Sequence, residues 1–149
     1  IVRLEEPIEP LHVNLRAGTV MSLTNTATGR LFAAYMAPKV VERILNDDLQ
    51  RLGARKDAKG ELDHEALDIA LMETRKHGLS RSLGQPIPGI DALCAPVFDS
   101  AGHLVLGILA MGPSASFDSR WDGAVATQLR QCALEVSRRI GHPLARTAR

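Results

Sequence analysis

The chain has 149 residues, of which 18 are basic, 17 are acidic and 45% are hydrophobic. This length predicts one domain with a substantial core, because folding at this size removes about 70% of the unfolded chain's surface from water. The balanced charge gives no one-sided basic field for a phosphate backbone, so this chain alone is not expected to bind nucleic acid. It has neither a signal-peptide pattern nor an apolar run of about 20 residues, which predicts no membrane contact and a cytoplasmic location.

The beginning of the chain predicts two short strands and then a helix. The strands are β-like runs at 1–6 and 11–16, which are bounded by prolines and a glycine. The helix should cover 24–36, with Thr24 or Asn25 as its N-cap, because an apolar face follows these capping residues.

Two more helices are predicted before the centre of the chain. One should run over 38–45, because Pro38 suits a first helical position, and the charged stretch 46–60 is interpreted as a solvated helix end and loop. Asp63 should cap the other, which should end at Gly78. The inward face of this third helix should comprise Leu67, Ala70, Leu71 and Thr74.

The centre of the chain predicts a strand over 79–85 and then a hairpin over 90–113. The residues 99–102 include the Asp, Ser and Gly that tight turns need, so the two hairpin strands should be antiparallel neighbours. Neither strand alternates between apolar and polar residues, which predicts burial on both faces. One face should be covered by helices, and the other has room for a pocket.

The last helix has the clearest apolar stripe of the chain. Its members are Trp121, Val125, Leu129, Cys132, Val136 and Ile140. Asp118 or Asp122 should cap the helix, Gly141 and Pro143 should end it, and it should lie across one face of the sheet. The basic tail that follows is interpreted as a frayed end.

The sequence contains no pattern that indicates catalysis or metal binding. The five histidines fall one per element, without the spacing of zinc ligands. Asp63, His64 and Glu65 are adjacent, but neighbours on a helix point in different directions and capping accounts for the acids. Cys94 lacks a neighbouring base, and both Cys94 and Cys132 are expected to act as small core hydrophobes. We therefore predict no enzyme, no cofactor and no metal.

The start of the first helix is the strongest candidate binding site. The small residues Ala27 and Gly29 let a group approach the backbone, and the exposed amides at a helix N-terminus favour an anion. The hydroxyls of Thr24, Thr26 and Thr28 add donors. The residues alone leave a second interpretation open, in which the small side chains only let this helix pack tightly on the sheet.

Three segments together resemble a known family. They are SLTNTATGRLFAAYM, HGLSRSLGQPIPGIDALCAPVFDSAGHLVLGILAMGP and a helix ending EVSRRIGH. This combination resembles the effector-binding domain of IclR-type bacterial transcriptional regulators, from about Val2 to His142. The family pattern A-x-G-[KR] is matched at 27–30, and residues 94–99 fit the pattern A-[AC]-P-[VI]-F-D with Cys94 in place of its first alanine.

The resemblance implies an α/β (α+β) fold related to the GAF domain, with a curved, mainly antiparallel sheet and helices on both faces. It implies an effector-binding domain over 1–142 and a tail over 143–149. It also implies an N-terminal winged helix-turn-helix domain that is absent from this chain, which opens at Ile1 without an initiator Met. Such regulators form homodimers or tetramers, and DNA contact would come only through the absent domain.

The resemblance also implies an effector pocket between the first helix and the concave face of the sheet, for a small carboxylate effector. Carried over by position, its residues are Met21, Ala27, Thr28, Gly29, Ser82, Ala92, Cys94, Leu109 and Met111. Family members that bind very small polar acids have hydroxyl, thiol or carboxylate groups where this chain has Ala92, Leu109 and Met111. A mainly apolar wall with one anion site favours a larger, flat acid such as an aromatic carboxylate.

Two functions stay open on this basis. In the first, an acid binds at Ala27 and Thr28 and alters how the subunits hold their DNA-binding domains. In the second, the same fold is a small enzyme or a dimerisation module that responds to no ligand. Catalysis would need a base within reach of a nucleophile, and no pair in the sequence indicates one.

Overall fold

The structure is a computed structural model that describes residues 1–5, 13, 15–51 and 63–143. Within these ranges the elements are α1 (Ala27–Tyr35), α2 (Pro38–Arg51), α3 (His64–His77), β1 (Ser80–Leu83), β2 (Ile90–Phe98), β3 (Leu104–Pro113) and α4 (Ala124–Arg139). No helix in the described ranges has both the length and the apolar character needed to span a membrane.

The described strands form one antiparallel sheet in the order β1-β2-β3. The hairpin predicted over 90–113 is therefore confirmed. Its turn forms because the Asp99 carboxylate accepts hydrogen bonds from the amides of Ala101 and His103, both at 2.9 Å. Gly102 completes the turn at φ +80°, in the region that glycine adopts without strain.

Helices cover both faces of the sheet, as predicted, and the α+β fold class is confirmed. On one face α4 packs against β2, and the buried side chains there are Leu79, Leu93, Ala95, Val97, Ala126, Leu129 and Ala133. On the other face α1 packs against the sheet through Ala27, Leu31, Ala92 and Cys94. The opposite side of α1 packs against α2 and α3, and the core there comprises Leu23, Ala33, Ala34, Val41, Leu45, Leu67 and Leu71.

The prediction that both hairpin strands are buried on both faces is wrong for the beginning of β3. Val105 is 47% exposed and Leu106 is 38% exposed, whereas Val97 on the neighbouring strand is fully buried. The described helices pack on β2 and on the later part of β3, where Ile108 and Ala110 contact the α4 side of the core. Continuous apolar sequence thus correctly predicts a buried strand only for β2.

The predicted ends of α3 are confirmed. The Asp63 carboxylate accepts from the amide of Ala66 at 3.0 Å, and Gly78 ends the helix in the left-handed region at φ +66°. The predicted end of α2 at Leu45 is wrong, because the helix continues to Arg51. Charged residues do not end a helix by themselves. Glycine is a much poorer helix former, and the first glycine after Leu45 is Gly53.

Strand predictions near the N-terminus and around β1 also need correction. Residues 1–5, 13, 15 and 16 are not in strands, and the rest of the predicted runs lies outside the described residues. The strand predicted over 79–85 is shorter, because Gly84 turns the chain at φ +59° and its amide donates to Asp91. The predicted loop over 52–60 and the tail after 143 also lie outside the described residues.

The stripe predicted for α4 is partly wrong. Leu129 is buried and Val125 and Val136 contact the core, but Cys132 is exposed and Ile140 is 46% exposed. The most buried positions are instead small, namely Ala126, Ala133 and Ser137, because small residues let the helix lie close to the sheet. The N-cap is Gly123, although the predicted Asp118 does accept from the first helical amide, that of Ala124, at 3.1 Å.

Asp91 joins β2 to the turn after β1 and to the loop after β3. It is 7% exposed, and its carboxylate accepts from the amide of Gly84 and from the hydroxyls of Ser114 (2.6 Å) and Ser119 (3.0 Å). Burial raises the pKa of Asp91, but these hydrogen bonds and the charge of Arg81 outweigh it and hold the pKa below its ordinary value.

We predict that Asp91→Asn lowers the free energy of unfolding at pH 7 by about 1.5–3 kcal/mol, since hydrogen bonds to a charged acceptor are lost. A folded-state pKa below the unfolded value means that the carboxylate stabilises the fold above about pH 4 and that this stabilisation is lost as the pH falls through the folded pKa. The deficit of the variant should therefore shrink in denaturant titrations at acid pH. The exposed Asp68 on α3 gives the matched control, Asp68→Asn, and equal losses in the two variants would contradict this role.

Candidate functional site

The first turn of α1 is organised by Thr26. Its hydroxyl accepts from the amide of Gly29 at 2.9 Å and donates to the carbonyl oxygen of Ser22 at 2.7 Å. The predicted N-cap, Thr24 or Asn25, is therefore wrong by one or two residues. The sequence offers three adjacent capping residues, and the contact with Ser22 selects Thr26 among them.

Gly29 lies against the backbone of the preceding turn. A Cβ built on it would lie 1.8 Å from the carbonyl oxygen of Ser22 and 2.6 Å from the Cα of Leu23. The absence of a side chain at Gly29 therefore serves close packing of α1 against the preceding turn, whereas the second interpretation of the small residues in α1 placed that packing on the sheet.

Ala27 and Thr28 hold the first two helical positions of α1, where amides have no acceptor within a helix. Neither amide donates to an acceptor in the described part of the chain. The Ser80 hydroxyl fixes this end of the helix on β1 by donating to the carbonyl oxygen of Ala27 at 2.5 Å. The positive end of α1 is thus held rigidly beside the sheet with two unused donors.

The register of the strands places one row of paired residues, which runs across the three strands, in front of the N-terminus of α1. Ala92 pairs with Ser82 on one side and with Met111 on the other. The next row in the same direction joins Ser80, Cys94 and Leu109, because alternate residues of a strand share a face. The first row faces a cavity that Leu109 of the second row also lines, and Cys94 of the second row packs beneath α1.

The cavity lies between the α1 N-terminus and the sheet and has a volume of about 30 Å³. Its lining is mainly apolar and comprises Leu15, Met21, Thr26, Ala27, Thr28, Ser82, Gln85, Pro86, Ile87, Ile90, Ala92, Leu109 and Met111. A water molecule needs about 10–15 Å³ on this scale, so the cavity as it stands accommodates about two water molecules.

Ser82 contributes a hydroxyl group to the wall of this cavity. The residue is 2% exposed. A hydroxyl in a mainly apolar wall can donate one hydrogen bond to a ligand and can also accept from it. All three threonines predicted to add donors have hydroxyl contacts within the chain, because Thr24 contacts Ser22, Thr26 caps the helix and Thr28 hydrogen-bonds to Cys94.

Arg30 clamps the rim of the cavity. Its guanidinium donates to the carbonyl oxygens of Thr24 (2.9 Å) and Arg81 (2.7 Å) and to Oε1 of Gln85 (3.2 Å). It therefore joins the turn before α1, strand β1 and the segment after β1 that lines the cavity. A rigid guanidinium with several donors suits this role.

Cys94 is fully buried beneath α1, in the row next to the cavity. Burial raises the pKa of its thiol to about 12, although a hydrogen bond with Thr28 acts in the opposite direction. The thiol is therefore protonated at neutral pH and has no nucleophilic character. The prediction that Cys94 acts as a small core hydrophobe is confirmed, whereas the same prediction for Cys132 is wrong because Cys132 is exposed.

We predict that the folded chain reacts with a disulfide reagent such as Ellman's reagent through Cys132 alone. One thiol should be titrated rapidly at pH 8, and the second only after the protein is unfolded in guanidinium. The variant Cys132→Ser should show no rapid reaction. Rapid reaction of two thiols in the folded protein would contradict the buried position of Cys94.

A family model described as "Bacterial transcriptional regulator IclR C-terminal" matches residues 1–138. The chain belongs to the IclR family of bacterial transcriptional regulators. It is 28% identical over 130 residues to the HTH-type transcriptional regulator BhcR of Paracoccus denitrificans, a match that covers 85% of this chain and 46% of BhcR.

Solved structures of IclR-family regulators share the fold. HmgR of Pseudomonas aeruginosa is 28% identical with a TM-score of 0.81, and the match covers 97% of this chain and 55% of that one. The IclR protein of Thermotoga maritima matches at 24% identity with a TM-score of 0.72, covering 93% and 55% of the two chains, which is a likeness of fold alone. This IclR C-terminal domain thus spans about half the length of the relatives it matches.

The structure brings most of the predicted pocket residues together around the cavity. Those that line it are Met21, Ala27, Thr28, Ser82, Ala92, Leu109 and Met111. Gly29 lies against the turn before α1, and Cys94 is fully buried beneath α1, so neither lines the cavity. Sequence analysis missed Gln85 and Ile87, since they lie in an irregular segment where periodicity gives no orientation.

Proposed function

We propose that this IclR C-terminal domain is the ligand-sensing part of a bacterial transcriptional regulator and that it binds an organic acid in the cavity at the α1 N-terminus. One observation supports this most strongly. Ala27 and Thr28, whose backbone amides are unused, line one mainly apolar cavity together with the hydroxyl-bearing Ser82. A carboxylate would satisfy such donors, and the helix end would favour its charge.

The walls favour a flat, mainly apolar body behind the carboxylate, so we propose an aromatic acid as the effector class. The present cavity is too small for an aromatic ring, and binding would have to widen it. Met21 and Met111 line it and have flexible side chains that can turn aside. Because the widened form would bind the acid and the closed form would not, the ligand would shift the balance between them.

In the whole regulator this shift would be transmitted to an N-terminal DNA-binding domain in a homodimer or tetramer. A coupling of about 1–3 kcal/mol would change operator affinity between several-fold and about a hundredfold. A sensor that acts through DNA would work in the cytoplasm. We also propose that the domain is not an enzyme, because the buried thiol of Cys94 stays protonated and the relatives it matches are transcriptional regulators.

Calorimetric titration of the chain with benzoate and with glyoxylate tests the proposal. Benzoate should bind at least about tenfold more tightly, which corresponds to about 1.4 kcal/mol. Equal or reversed affinities would refute the aromatic class while keeping the acid site. Absence of binding by either acid would refute the sensing function.

A further inference from the structure

Gln85 lines the cavity, and the structure fixes the orientation of its side-chain amide. Its Oε1 accepts from a guanidinium nitrogen of Arg30 at 3.2 Å. Arginine carries donors and no acceptor, so the oxygen of the Gln85 amide must face Arg30 and its NH₂ group must face the other way. This NH₂ group donates to no acceptor in the described part of the chain.

Arg30 is itself held in place by the scaffold. Two backbone carbonyl oxygens, those of Thr24 and Arg81, accept from the same guanidinium at 2.9 and 2.7 Å. The direction of the Gln85 amide is therefore set by groups on α1 and β1 and does not depend on a bound ligand. Preorganised donors of this kind discriminate among ligands, because they need no rearrangement on binding.

We infer that Gln85 is a specificity-determining residue of the acid site and that Arg30 positions it. The Gln85 NH₂ group donates to a second oxygen of the bound acid, such as a ring hydroxyl, while the carboxylate contacts the amides of Ala27 and Thr28. The inference rests on the proposed acid-binding function. It specifies an aromatic acid with an additional oxygen substituent as the preferred class of ligand.

Calorimetry with benzoate and with 2-, 3- and 4-hydroxybenzoate tests this assignment. The wild-type chain should bind at least one hydroxybenzoate about three- to tenfold more tightly than benzoate, the range expected for one neutral hydrogen bond. Gln85→Leu removes the donor. Gln85→Glu keeps an acceptor for Arg30 but offers no donor. The introduced negative charge repels the carboxylate of benzoate and of the hydroxybenzoate alike, so this repulsion cancels in the ratio of the two affinities. Both variants should lose the preference.

Arg30→Met tests the positioning role separately. The Gln85 amide can then turn over, so the ratio of the hydroxybenzoate affinity to the benzoate affinity should fall toward one, and any change common to both acids cancels in this ratio. Thermal melts identify variants that fail to fold, and the two Gln85 variants decide the inference without Arg30→Met.

Two results would overturn the inference and leave the proposed function intact: equal binding of benzoate and all three hydroxybenzoates by the wild type, or an unchanged preference in both Gln85 variants. If no acid binds the wild-type chain, the inference and the proposed function both fail.

Discussion

Replacing Gly29 by alanine should destabilise the domain by about 3 kcal/mol or more. The new methyl group would lie 1.8 Å from the carbonyl oxygen of Ser22 and 2.6 Å from the Cα of Leu23. Both are backbone atoms, so no side-chain rotation can relieve the overlap. The Ser22 carbonyl is also held by the Thr26 hydroxyl, and the whole first turn of α1 would have to shift.

Denaturant unfolding of Gly29→Ala and Gly78→Ala gives the matched comparison. A Cβ at Gly78 meets nothing within 4 Å, but the residue has φ +66°. That variant should therefore lose only about 1 kcal/mol from backbone strain. If Gly29→Ala is no less stable than Gly78→Ala, the close contact between α1 and the preceding turn is not a requirement of the fold.

Replacing Ala92 by leucine should abolish acid binding, with a loss of affinity of about a hundredfold or more. Ala92 is 6% exposed and lines the cavity between Ser82 and Met111. Three additional carbon atoms would fill a cavity of about 30 Å³ and leave no path for a ring to the helix end. The fold should survive, because the added atoms enter existing space.

The control variant is Ala124→Leu, which makes the same change at an exposed position on α4. Titrations with benzoate should give the wild-type affinity for this control and no measurable binding for Ala92→Leu. Wild-type affinity in Ala92→Leu would show that acids bind somewhere else.

The sequence predicts the parts of this fold that depend on local chemistry. Asp63 and Gly78 carry clear capping signals, and both ends of α3 lie where they indicate. The hairpin is equally local, since Asp99 and Gly102 form its turn. Once that turn sets the register, Ala92 and Met111 must be neighbours on one face.

The errors fall where tertiary contacts decide. Cys132 and Ile140 belong to the apolar stripe of α4, yet the helix turns its small residues toward the sheet. Ser137 is buried there because its hydroxyl accepts from the amide of Phe98 at 3.0 Å, a contact that no hydropathy pattern indicates. The choice of Thr26 as the N-cap of α1 likewise depends on its contact with Ser22.

The candidate site likewise contains residues that the sequence indicates and a residue that only the folded structure reveals. The resemblance to the IclR family indicated most residues on α1 and on the sheet, but Gln85 lies in the irregular segment after β1. Its place at the cavity depends on Arg30, which is 55 residues away in the chain. A side chain held by such a distant partner can be found only from the folded structure.

A crystal structure of the chain with benzoate tests the central claim most directly. The account predicts a carboxylate oxygen within about 3.2 Å of the backbone nitrogen of Ala27 or Thr28, with the ring between Ala92 and displaced side chains of Met21 and Met111. Benzoate bound at another surface, or bound in the cavity with its carboxylate turned away from α1, would contradict it.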